Sequence, residues 1–417
     1  MAKKSVRQLD VRGKKVFIRA DLNVPLDAEC RVTDDRRIRM FLPTLRHVLD
    51  HGGRAIVASH LGRPEGKDPA ADAKFSLKPV AEKMSQLLGK PVQFAGKVIG
   101  PEVEAQVAAL RDGEVLLLEN VRFHKGEDII DKAKKNPDKK LTPEQDAKRV
   151  ELGQGLAKLG ELYVNDAFGT CHRKHVSMYD VPGLLPKGTR ALGFLVEKEL
   201  KYLGDALNNP QRPFVAVLGG AKVSDKIKVI ENLLAKVDHI LIGGAMMFTF
   251  WAAQGKSVGK SLCERDQLDL ARTLLEKGRG KIHLPTDTVA AVELKAGVAT
   301  QVVAGEVPAD LMGLDIGPQT LAEFGRVLGT ARTIVWNGPL GAFETKPFDT
   351  GTVAVAKLLA EATARGATTV IGGGDSAAAI EQAGLAEKVA HISTGGGASL
   401  EFLEGKSFGP IEVLDDA

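Results

Sequence analysis

Cysteine is scarce in this sequence of 417 residues, with only Cys30, Cys171 and Cys263, which are far apart. They form no CxxC pair and no cluster with the spacing of metal ligands. An odd number of separated cysteines is not typical of a secreted protein held together by disulfides, and it favours reduced thiols. We therefore expect a cytoplasmic protein whose cysteines are unpaired.

Neither charge nor apolar sequence is concentrated in one part of the chain. The formal net charge is +4 over 57 basic and 53 acidic residues, which gives no reason to expect nucleic acid as a partner. No apolar run reaches the roughly 18 residues that span a membrane. The basic residues at the start are not followed by an apolar segment, so we expect no signal peptide. Together these absences predict a soluble protein without a membrane partner.

The familiar nucleotide-binding signatures are also missing. GKS occurs at 255–257 and 405–407, but Phe250 and Leu400 stand where a P-loop needs its first glycine. No GxGxxG follows a predicted strand, and neither HRD nor DFG occurs. The P-loop, dinucleotide-binding and protein-kinase patterns are therefore excluded.

What the sequence does contain is a repeated order of short apolar run, glycine or polar turn, and helical stretch. The runs and their turns span 15–25, 54–64, 114–124, 161–170, 214–222, 239–247, 281–289, 333–343, 369–378 and 391–399. Strands that alternate with helices predict parallel sheets in a doubly wound α/β fold. In such sheets ligands bind beyond the carboxyl ends of the strands, so the turns in these segments are the candidate sites.

The length suits about two or three domains, and the two halves of the chain differ in their loops. First-half loops carry arginine, histidine and aspartate, whereas second-half loops carry glycine, which predicts two domains with different ligands. Leu200, Leu203 and Leu207 have helical spacing and predict a helix between the domains. We place the domains at 1–185 and 208–403, joined by 186–207. The charged segment 125–149 is predicted to be a solvated loop and the start of a helix, without a chemical role.

The first-half loops carry side chains suited to a small polyanion. The members are Arg19, Asp21, Asn23, His60, Arg63, Arg122, His124, His172, Arg173 and His175, with Arg37 shortly after the first loop. Guanidinium groups bind carboxylate and phosphate oxygens in pairs, and Asp21 and Asn23 are expected to receive a substrate hydroxyl. Each residue alone could be a solvated charge or a structural histidine, and only their shared place at predicted strand ends favours a site. Arg19 differs because it stands within its strand.

The second-half loops are suited to a nucleotide. Gly219 and Gly220 would let the backbone approach a ligand closely, and Lys222 and Lys226 have the spacing of one helical face. The alternative is that these are ordinary surface lysines. In the glycine-rich segment 371–380, Asp375 either binds Mg²⁺ or caps the following helix with Ser376, and both interpretations remain open.

Seven segments, taken in order, resemble the phosphoglycerate kinase family over essentially the whole chain. They are RADLNVP (19–25), SHLGRP (59–64), NDAFGTCHRKH (165–175), LGGAKVSDKI (218–227), VWNGPLGAFE (335–344), IGGGDSAAA (371–379) and STGGGASLE (393–401). The resemblance implies two Rossmann-like domains joined by a helical hinge, with 404–417 returning to the first domain. It implies 3-phosphoglycerate binding by the first domain and nucleotide binding by the second.

The resemblance also implies the roles of individual residues. The 3-phosphoglycerate ligands would be Asp21, Asn23, Arg37, His60, Arg63, Arg122 and Arg173. The nucleotide ligands would be Lys226, Gly313, Glu344, Gly373, Gly374, Asp375 and Ser376, with Glu344 at the ribose and Asp375 at magnesium. Arg37 and Lys222 match the catalytic charges that meet the moving phosphoryl group.

The implied reaction is phosphoryl transfer between 1,3-bisphosphoglycerate and MgADP, giving 3-phosphoglycerate and MgATP. We expect direct in-line transfer by a monomer after the domains close about the 193–207 helix. A non-catalytic anion receptor would leave the glycine loops and Asp375 unexplained. An ATP-dependent carboxylate-activating ligase would need a third site for an acceptor, for which no motif is present.

Overall fold

The apolar runs form the central strands of two parallel sheets in the computed structural model, which describes residues 2–66 and 68–417. The fold divides into two units. The first contains the described residues up to Glu199 together with Ser407–Ala417, and the second is Leu200–Lys406. The division between Glu199 and Leu200 lies within a helix, Phe194–Asn208.

The first unit is built on a parallel sheet of six strands among its described residues. The strands are β1 Lys15–Ala20, β2 Arg54–Ala58, β3 Val92–Phe94, β4 Val115–Leu117, β5 Leu162–Asp166 and β6 Arg190–Leu192. Their order is β3-β4-β2-β1-β5-β6, and every neighbouring pair is parallel. β1 and β5 are buried over almost their full length, which is why each contains a run of consecutive apolar residues rather than an alternating pattern; Arg19, Asn165 and Asp166 are buried polar residues in these strands.

Helices cover the sheet of the first unit. They are α1 Arg36–Asp50, α2 Pro69–Asp72, α3 Lys78–Leu88, α4 Pro101–Ala109, α5 Ile129–Ala133, α6 Pro143–Ala157 and α7 Val176–Leu184, and α8 Phe194–Asn208 begins in this unit and ends in the second. α1 buries Ile38, Phe41, Leu45 and Val48, whose spacing puts them on the face that packs against the sheet. The segment 125–149 was expected to be a solvated loop and the start of a helix. α6 does begin within it, at Pro143, but the segment also contains the separate helix α5, with Ile129 and Ala133 buried.

The second unit contains a parallel sheet of six strands and a smaller antiparallel sheet of three, counted over Leu200–Lys406. The strands are β7 Phe214–Leu218, β8 His239–Ile242, β9 Ile282–His283, β10 Asp287–Ala291, β11 Gln301–Ala304, β12 Met312–Ile316, β13 Thr333–Asn337, β14 Thr368–Gly372 and β15 His391–Ile392. The parallel sheet has the order β15-β14-β13-β7-β8-β9, and the antiparallel sheet has the order β11-β10-β12.

The interpretation of 281–289 as one strand and its turn was wrong. β9 belongs to the parallel sheet, whereas β10 belongs to the antiparallel one. Pro285 lies between them and has no N–H group to continue a ladder, so the chain leaves the first sheet there.

Helices of the second unit, and one in the C-terminal segment, complete the fold. They are α9 Ile227–Leu234, α10 Met246–Ala253, α11 Leu268–Lys277, α12 Pro318–Thr330, α13 Thr350–Ala364, α14 Gly374–Gln382 and α15 Gly397–Leu403, followed by α16 Gly409–Glu412 in the first unit. None of the helices in the described part of the chain has the length and apolar character of a membrane span. Two parallel sheets with helices confirm the predicted α/β class.

The C-terminal segment belongs to the first unit through specific contacts. The Asn165 amide donates to the Pro410 carbonyl at 3.2 Å, and Arg190 donates to the Asp415 carboxylate at 3.2 and 2.7 Å. Lys3 forms an ion pair with Asp416 at 2.9 Å. Hydrogen bonds and ion pairs therefore hold the last residues of the chain beside β5 and β6.

Candidate functional site

In the first unit, the residues expected at strand ends lie along one edge of the sheet. β4, β2, β1 and β5 are consecutive neighbours and run parallel, so the loops after them leave the same edge. These loops carry Arg122, His60, Asp21 and Arg173, one from each strand. The sheet order thus brings together side chains that are up to about 150 residues apart in sequence.

Asp21 and Arg37 form an ion pair at this edge. Asp21 follows β1 and is buried, and its carboxylate lies 2.5 Å from Arg37, which is in the first turn of α1. About a third of the Arg37 side chain is exposed (32%). Asp21 therefore holds a partly exposed guanidinium group in place, in addition to any substrate hydroxyl that it receives.

The loop after β2 is held by its neighbours. Asn23 accepts the Gly62 N–H at 2.8 Å, and the Arg122 guanidinium donates to the Gly62 carbonyl at 2.6 Å. Gly62 has φ +56, and a Cβ there would come within 2.3 Å of the Phe75 ring, so only glycine fits. Burial, followed by the nearby charge of Arg19, lowers the pKa of Arg122. Arg63, three residues after His60, is exposed.

Two predicted members, His60 and Arg19, lie below this edge. His60 is almost fully buried, and its pKa is held well below the usual value by burial and by the charges of Arg19 and Arg122. Arg19 is completely buried, and its guanidinium contacts Ser177, the Ala20 carbonyl and His60. The expectation that Arg19 binds the anion directly was therefore wrong, because its position within β1 directs it into the protein.

Asp131, which the sequence reasoning missed, organises the loop after β5. Its carboxylate accepts from Arg173 at 2.7 Å and lies 3.0 Å from His175 Nε2. Hydrogen bonds from His175, Lys134 and Arg173 hold the pKa of Asp131 well below its usual value. The residue lies in α5, within the charged segment to which no role was assigned, and nothing in the local sequence distinguishes it from the other acidic residues there.

The remaining histidines of these loops have partners within the protein. His124 accepts the Gly126 N–H at 3.1 Å and lies 3.6 Å from Glu151, while His172 accepts from Arg173 at 3.0 Å. His175 is buried at the start of α7. These contacts favour structural roles for His124 and His175.

The second unit has a cavity of about 560 Å³ beside the loops that follow β7, β8 and β13. Apolar side chains form much of its wall, including Met247, Phe248 and Met312. Gly313, Glu344 and Asp375 also line it, so the structure brings together three of the residues expected to bind a nucleotide. A Cβ at Gly313 would lie 2.1 Å from Cζ of Phe248, which shows how closely this ring packs on β12.

Two glycines in the loops around this cavity, Gly219 and Gly244, allow the loops to pack closely backbone against backbone. A Cβ at Gly219 would lie 2.0 Å from the Pro339 carbonyl oxygen, and one at Gly244 would lie 2.5 Å from the Gly220 nitrogen. The Gly220 N–H donates to the Pro339 carbonyl at 3.0 Å. The expectation that these glycines make room for a ligand is corrected for Gly219, whose close contacts are with neighbouring backbone. Gly220 lines the cavity, and a Cβ there would meet only Lys226 Cε, at 3.7 Å.

Lys222 and Lys226 do not share a helical face as predicted. α9 begins at Ile227, so Lys222 lies in the preceding loop, and Lys226 is the residue just before the helix. Gly220 has a positive φ (+124), and the Lys226 N–H closes a turn by donating to the Val223 carbonyl. The helix therefore begins only after this turn. Lys222 is exposed, whereas Lys226 Nζ donates to Asn337 Oδ1, and burial lowers the pKa of Lys226 to about 8.

The glycine-rich segment after β14 forms the start of α14. Gly373 is the N-cap with φ +92, Gly374 and Asp375 open the helix, and the Ser376 hydroxyl accepts the Gly338 N–H at 2.6 Å. Of the two interpretations of Asp375, the cap is not supported, because Gly373 holds that position and makes no side-chain cap bond. Asp375 is exposed and faces the cavity.

The described residues contain no cluster of three histidine, cysteine or acidic side chains that could hold a metal. Mg²⁺ is usually held by one or two carboxylates together with phosphate oxygens of a ligand. Asp375 and Glu344 are the exposed carboxylates among the residues that line the cavity, and so small a set fits a Mg²⁺ ion that arrives with a nucleotide rather than a resident metal centre.

The sequence reasoning also missed Asn337 and Asp315. Asn337, at the end of β13, links Lys226 to the Gly372 carbonyl, to which it donates at 3.0 Å. Asp315 lines the cavity and accepts the Gly351 N–H at 2.7 Å, and burial raises the pKa of Asp315 to about 7. Asn337 stands at a strand end, which is a usable signal, whereas Asp315 lies within a strand and gives none.

Comparison with known proteins agrees with these features. The family model described as phosphoglycerate kinase matches residues 6–406. The chain is 51% identical over 420 residues to phosphoglycerate kinase of Chlorobium chlorochromatii (strain CaD3), with 100% of both proteins covered. It is 52% identical over 417 residues to the cytosolic phosphoglycerate kinase of Nicotiana tabacum, covering 99% of this chain and 98% of the relative.

A solved structure agrees as well. The structure of phosphoglycerate kinase from Coxiella burnetii is similar with a TM-score of 0.84 and 38% sequence identity, covering 99% of this chain and 98% of that chain. The family predicted from the seven segments is confirmed. We conclude that the chain belongs to the phosphoglycerate kinase family of enzymes.

Proposed function

We propose that the chain transfers a phosphoryl group between 1,3-bisphosphoglycerate and MgADP, giving 3-phosphoglycerate and MgATP in glycolysis. The observation that carries the proposal is that the family match runs through both units, from residue 6 to residue 406. One unit gathers arginine at its strand edge, and the other contains a cavity beside a helix N-terminus. These are suitable sites for an acidic sugar phosphate and for a nucleotide.

The strand edge of the first unit is proposed to hold 3-phosphoglycerate. Arg37, Arg122 and Arg173 would bind its carboxylate and phosphate oxygens, because each guanidinium is already oriented by a neighbouring acceptor. The exposed Arg63 is the fourth arginine of the set. The full set is Asp21, Asn23, Arg37, His60, Arg63, Arg122 and Arg173.

The second unit is proposed to hold the nucleotide. Phe248 and the other apolar walls of the cavity suit the base, and Glu344 at its border suits the ribose hydroxyls. The first N–H groups of α14 have no partner within the helix and face the region of Asp375, where phosphate would be favoured. Lys226, Gly313, Gly373, Gly374 and Ser376 complete the proposed set.

Magnesium is proposed to enter with the nucleotide, with Asp375 as the protein ligand. When bound, it would neutralise phosphate charge and so favour attack by an incoming oxygen. Every other contribution to the transfer comes from side chains and backbone of the chain itself.

The transfer is proposed to be direct. In the direction of ATP formation, a terminal oxygen of ADP forms a bond to phosphorus as the bond from phosphorus to the carboxyl oxygen breaks, and no proton need move. Arg37 and Lys222 are proposed to balance the negative charge that gathers on the moving group. Cys171 is fully buried and burial raises the pKa of its thiol, so this residue is not suited to form a phosphoenzyme.

Because the two ligands are assigned to different units, we propose that closure, with bending at the 193–207 helix and near the C-terminal crossover, brings them together and excludes water. The domains proposed for this movement are 1–185 with 404–417, and 208–403. A cytoplasmic monomer is the proposed working form.

A coupled assay tests this function. The purified chain, supplied with 1,3-bisphosphoglycerate and MgADP, should form ATP, and the reverse reaction should consume ATP only when 3-phosphoglycerate is present. A folded chain that neither forms ATP in the first assay nor consumes ATP in the reverse reaction would reject the proposal.

A further inference from the structure

Arg19 is a buried guanidinium for which the proposed function has no direct use. It is 0% exposed, and its Nε donates to Ser177 Oγ at 2.8 Å. One terminal nitrogen donates to the Ala20 carbonyl at 2.5 Å, and the other lies 3.2 Å from Nδ1 of His60. All three nitrogens of the guanidinium are thus engaged within the protein.

The charge of Arg19 is balanced by Glu127, which is also 0% exposed. Its carboxylate lies 3.9 Å from Arg19 and accepts both the Ser177 hydroxyl at 2.6 Å and the Ser177 N–H at 2.9 Å. A buried charge without such partners would be strongly destabilising. Glu127 and Ser177 therefore keep Arg19 charged and hold it in one orientation.

The contact between Arg19 and His60 determines where the histidine carries its proton. A guanidinium has five N–H donors and no acceptor, so Nδ1 of His60 has to accept. A neutral imidazole whose Nδ1 accepts carries its proton on Nε2. Burial and the surrounding cations keep His60 neutral, since they hold its pKa well below the usual value.

We propose that Arg19 is a positioning residue that fixes His60 as the Nε2–H tautomer, so that His60 offers a hydrogen-bond donor to the acidic substrate. The role rests on the proposed function, because the recipient of the Nε2–H is a carboxylate, phosphate or hydroxyl oxygen of 3-phosphoglycerate. The opposite tautomer would turn a lone pair towards a carboxylate or phosphate oxygen and repel it. Arg19 acts through His60 and does not touch the substrate.

The tautomer can be read directly in the unmodified chain. Side-chain nitrogen NMR of the ¹⁵N-histidine-labelled protein, without any substrate, should show His60 as neutral Nε2–H, with its signals assigned by their loss in His60→Gln. His51 is an internal reference for the Nδ1–H form. Its Nδ1 lies 2.7 Å from the His47 carbonyl oxygen, and because that oxygen can only accept, Nδ1 has to carry the proton. A neutral Nδ1–H form or an imidazolium at His60 would overturn the proposal.

A paired substitution tests the role of Arg19. Arg19→Gln combined with Glu127→Gln removes both buried charges together, and should leave His60 as a mixture of tautomers. The KM for 3-phosphoglycerate should rise about tenfold, as expected for loss of one hydrogen bond, while the KM for ATP changes little. A folded double variant with an unchanged tautomer and unchanged KM would contradict the proposal.

Two single substitutions at His60 keep the test decisive if the double variant does not fold. Gln can place an N–H near the position of Nε2, whereas Asn places its amide near Nδ1. His60→Gln should therefore retain a lower KM for 3-phosphoglycerate than His60→Asn, and the reverse order would count against the Nε2–H role. A chain that shows the Nε2–H form but makes no ATP would reject the proposed function and leave the Arg19–His60 hydrogen bond established.

Discussion

Arg37 offers the clearest test at the scale of a single residue. Its guanidinium is partly exposed and is held by Asp21, so removing it should cost more in transfer than in folding. We predict that Arg37→Ala lowers kcat by about 10²-fold, in the range found when one stabilising donor is lost from an active site. Its midpoint of chemical unfolding should move little, because partly exposed ion pairs contribute little to stability.

Arg39 is the matched control for this variant. It lies two residues further along α1, is exposed, and pairs with Asp35 at 2.7 Å. Arg39→Ala should leave kcat within about twofold of the parent value, since it removes only a surface ion pair. Equal losses of activity in the two variants, or equal losses of stability and activity in Arg37→Ala, would favour a structural role for Arg37.

The lowered pKa of Lys226 predicts that nucleotide binding is accompanied by proton uptake. Burial lowers the pKa of Lys226 to about 8 in the ligand-free chain, so near pH 8 about half of these lysines have lost their proton. A bound phosphate would favour the charged form and raise the pKa again, drawing a proton from the solvent. Calorimetric titrations with ADP at pH 8 in buffers of different ionisation enthalpy should reveal this uptake.

The uptake should disappear in Lys226→Met and should shrink at pH 6, where the lysine is already charged. Uptake that persists in Lys226→Met would assign the proton to another group.

At this scale the sequence predicted where polar residues gather but not what each one contacts. Asp21, His60, Arg122 and Arg173 could be predicted because they follow apolar strands that later pair in parallel. Arg19 could not, because whether a strand residue points into the protein or out of it depends on the helices that cover the sheet. Asp131 could not, because its partners Arg173 and His175 lie more than about 40 residues away.

Strand β12 carries a prediction at the scale of a structural element. Gly313 lets the Phe248 ring pack directly on the strand, and a Cβ there would come within 2.1 Å of that ring. Gly313→Ala should push the ring towards the cavity and weaken binding of ADP about tenfold, as expected from overpacking. Gly329→Ala in α12 is the control, because a Cβ at that position meets no atom within 4 Å. Similar affinities of the two variants for ADP would show that the Phe248 wall does not shape the site.

Asp315 in β12 accepts the N–H of Gly351 in α13, and this carboxyl group gives a prediction about how stability depends on pH. Burial raises the pKa of Asp315 to about 7 from 3.8, so between these values the folded protein holds a proton that the unfolded chain has released. The contribution of this group to stability therefore falls as the pH rises from about 4 to 7. The stability of the parent chain relative to Asp315→Asn should decrease over this window.

Tryptophan fluorescence during urea unfolding can follow this change, because the two tryptophans of the sequence, Trp251 and Trp336, are both buried in the second unit with Asp315. A difference between the two proteins that stays constant from pH 4 to 7 would mean that Asp315 does not hold the proton.

The elements themselves were predictable in proportion to their burial. β1, β5, β7 and β13 each contain at least three consecutive buried apolar residues, as expected when helices cover both faces of a parallel sheet. β3 (VQF) and β6 (RAL) were not predicted, since each includes a polar or charged residue, whereas the equally short β4 lies in the apolar run 115–118. β11 was missed because its exposed positions leave only part of it apolar.

Closure is the prediction at the scale of the whole molecule. With 3-phosphoglycerate and a MgATP analogue both present, small-angle scattering should give a smaller radius of gyration than with either ligand alone. The reason is that a phosphoryl group can pass directly only when donor and acceptor atoms are brought into contact and shielded from water. A radius that does not change on addition of both ligands would argue against closure.

A crystal structure with 3-phosphoglycerate and a non-hydrolysable MgATP analogue would show directly which unit binds each ligand. We predict that 3-phosphoglycerate lies among Arg37, Arg122 and Arg173. The base of the nucleotide should lie in the cavity against Phe248, with Asp375 at the magnesium ion. Both ligands on the same unit, or a 3-phosphoglycerate molecule that contacts none of these arginines, would contradict this prediction.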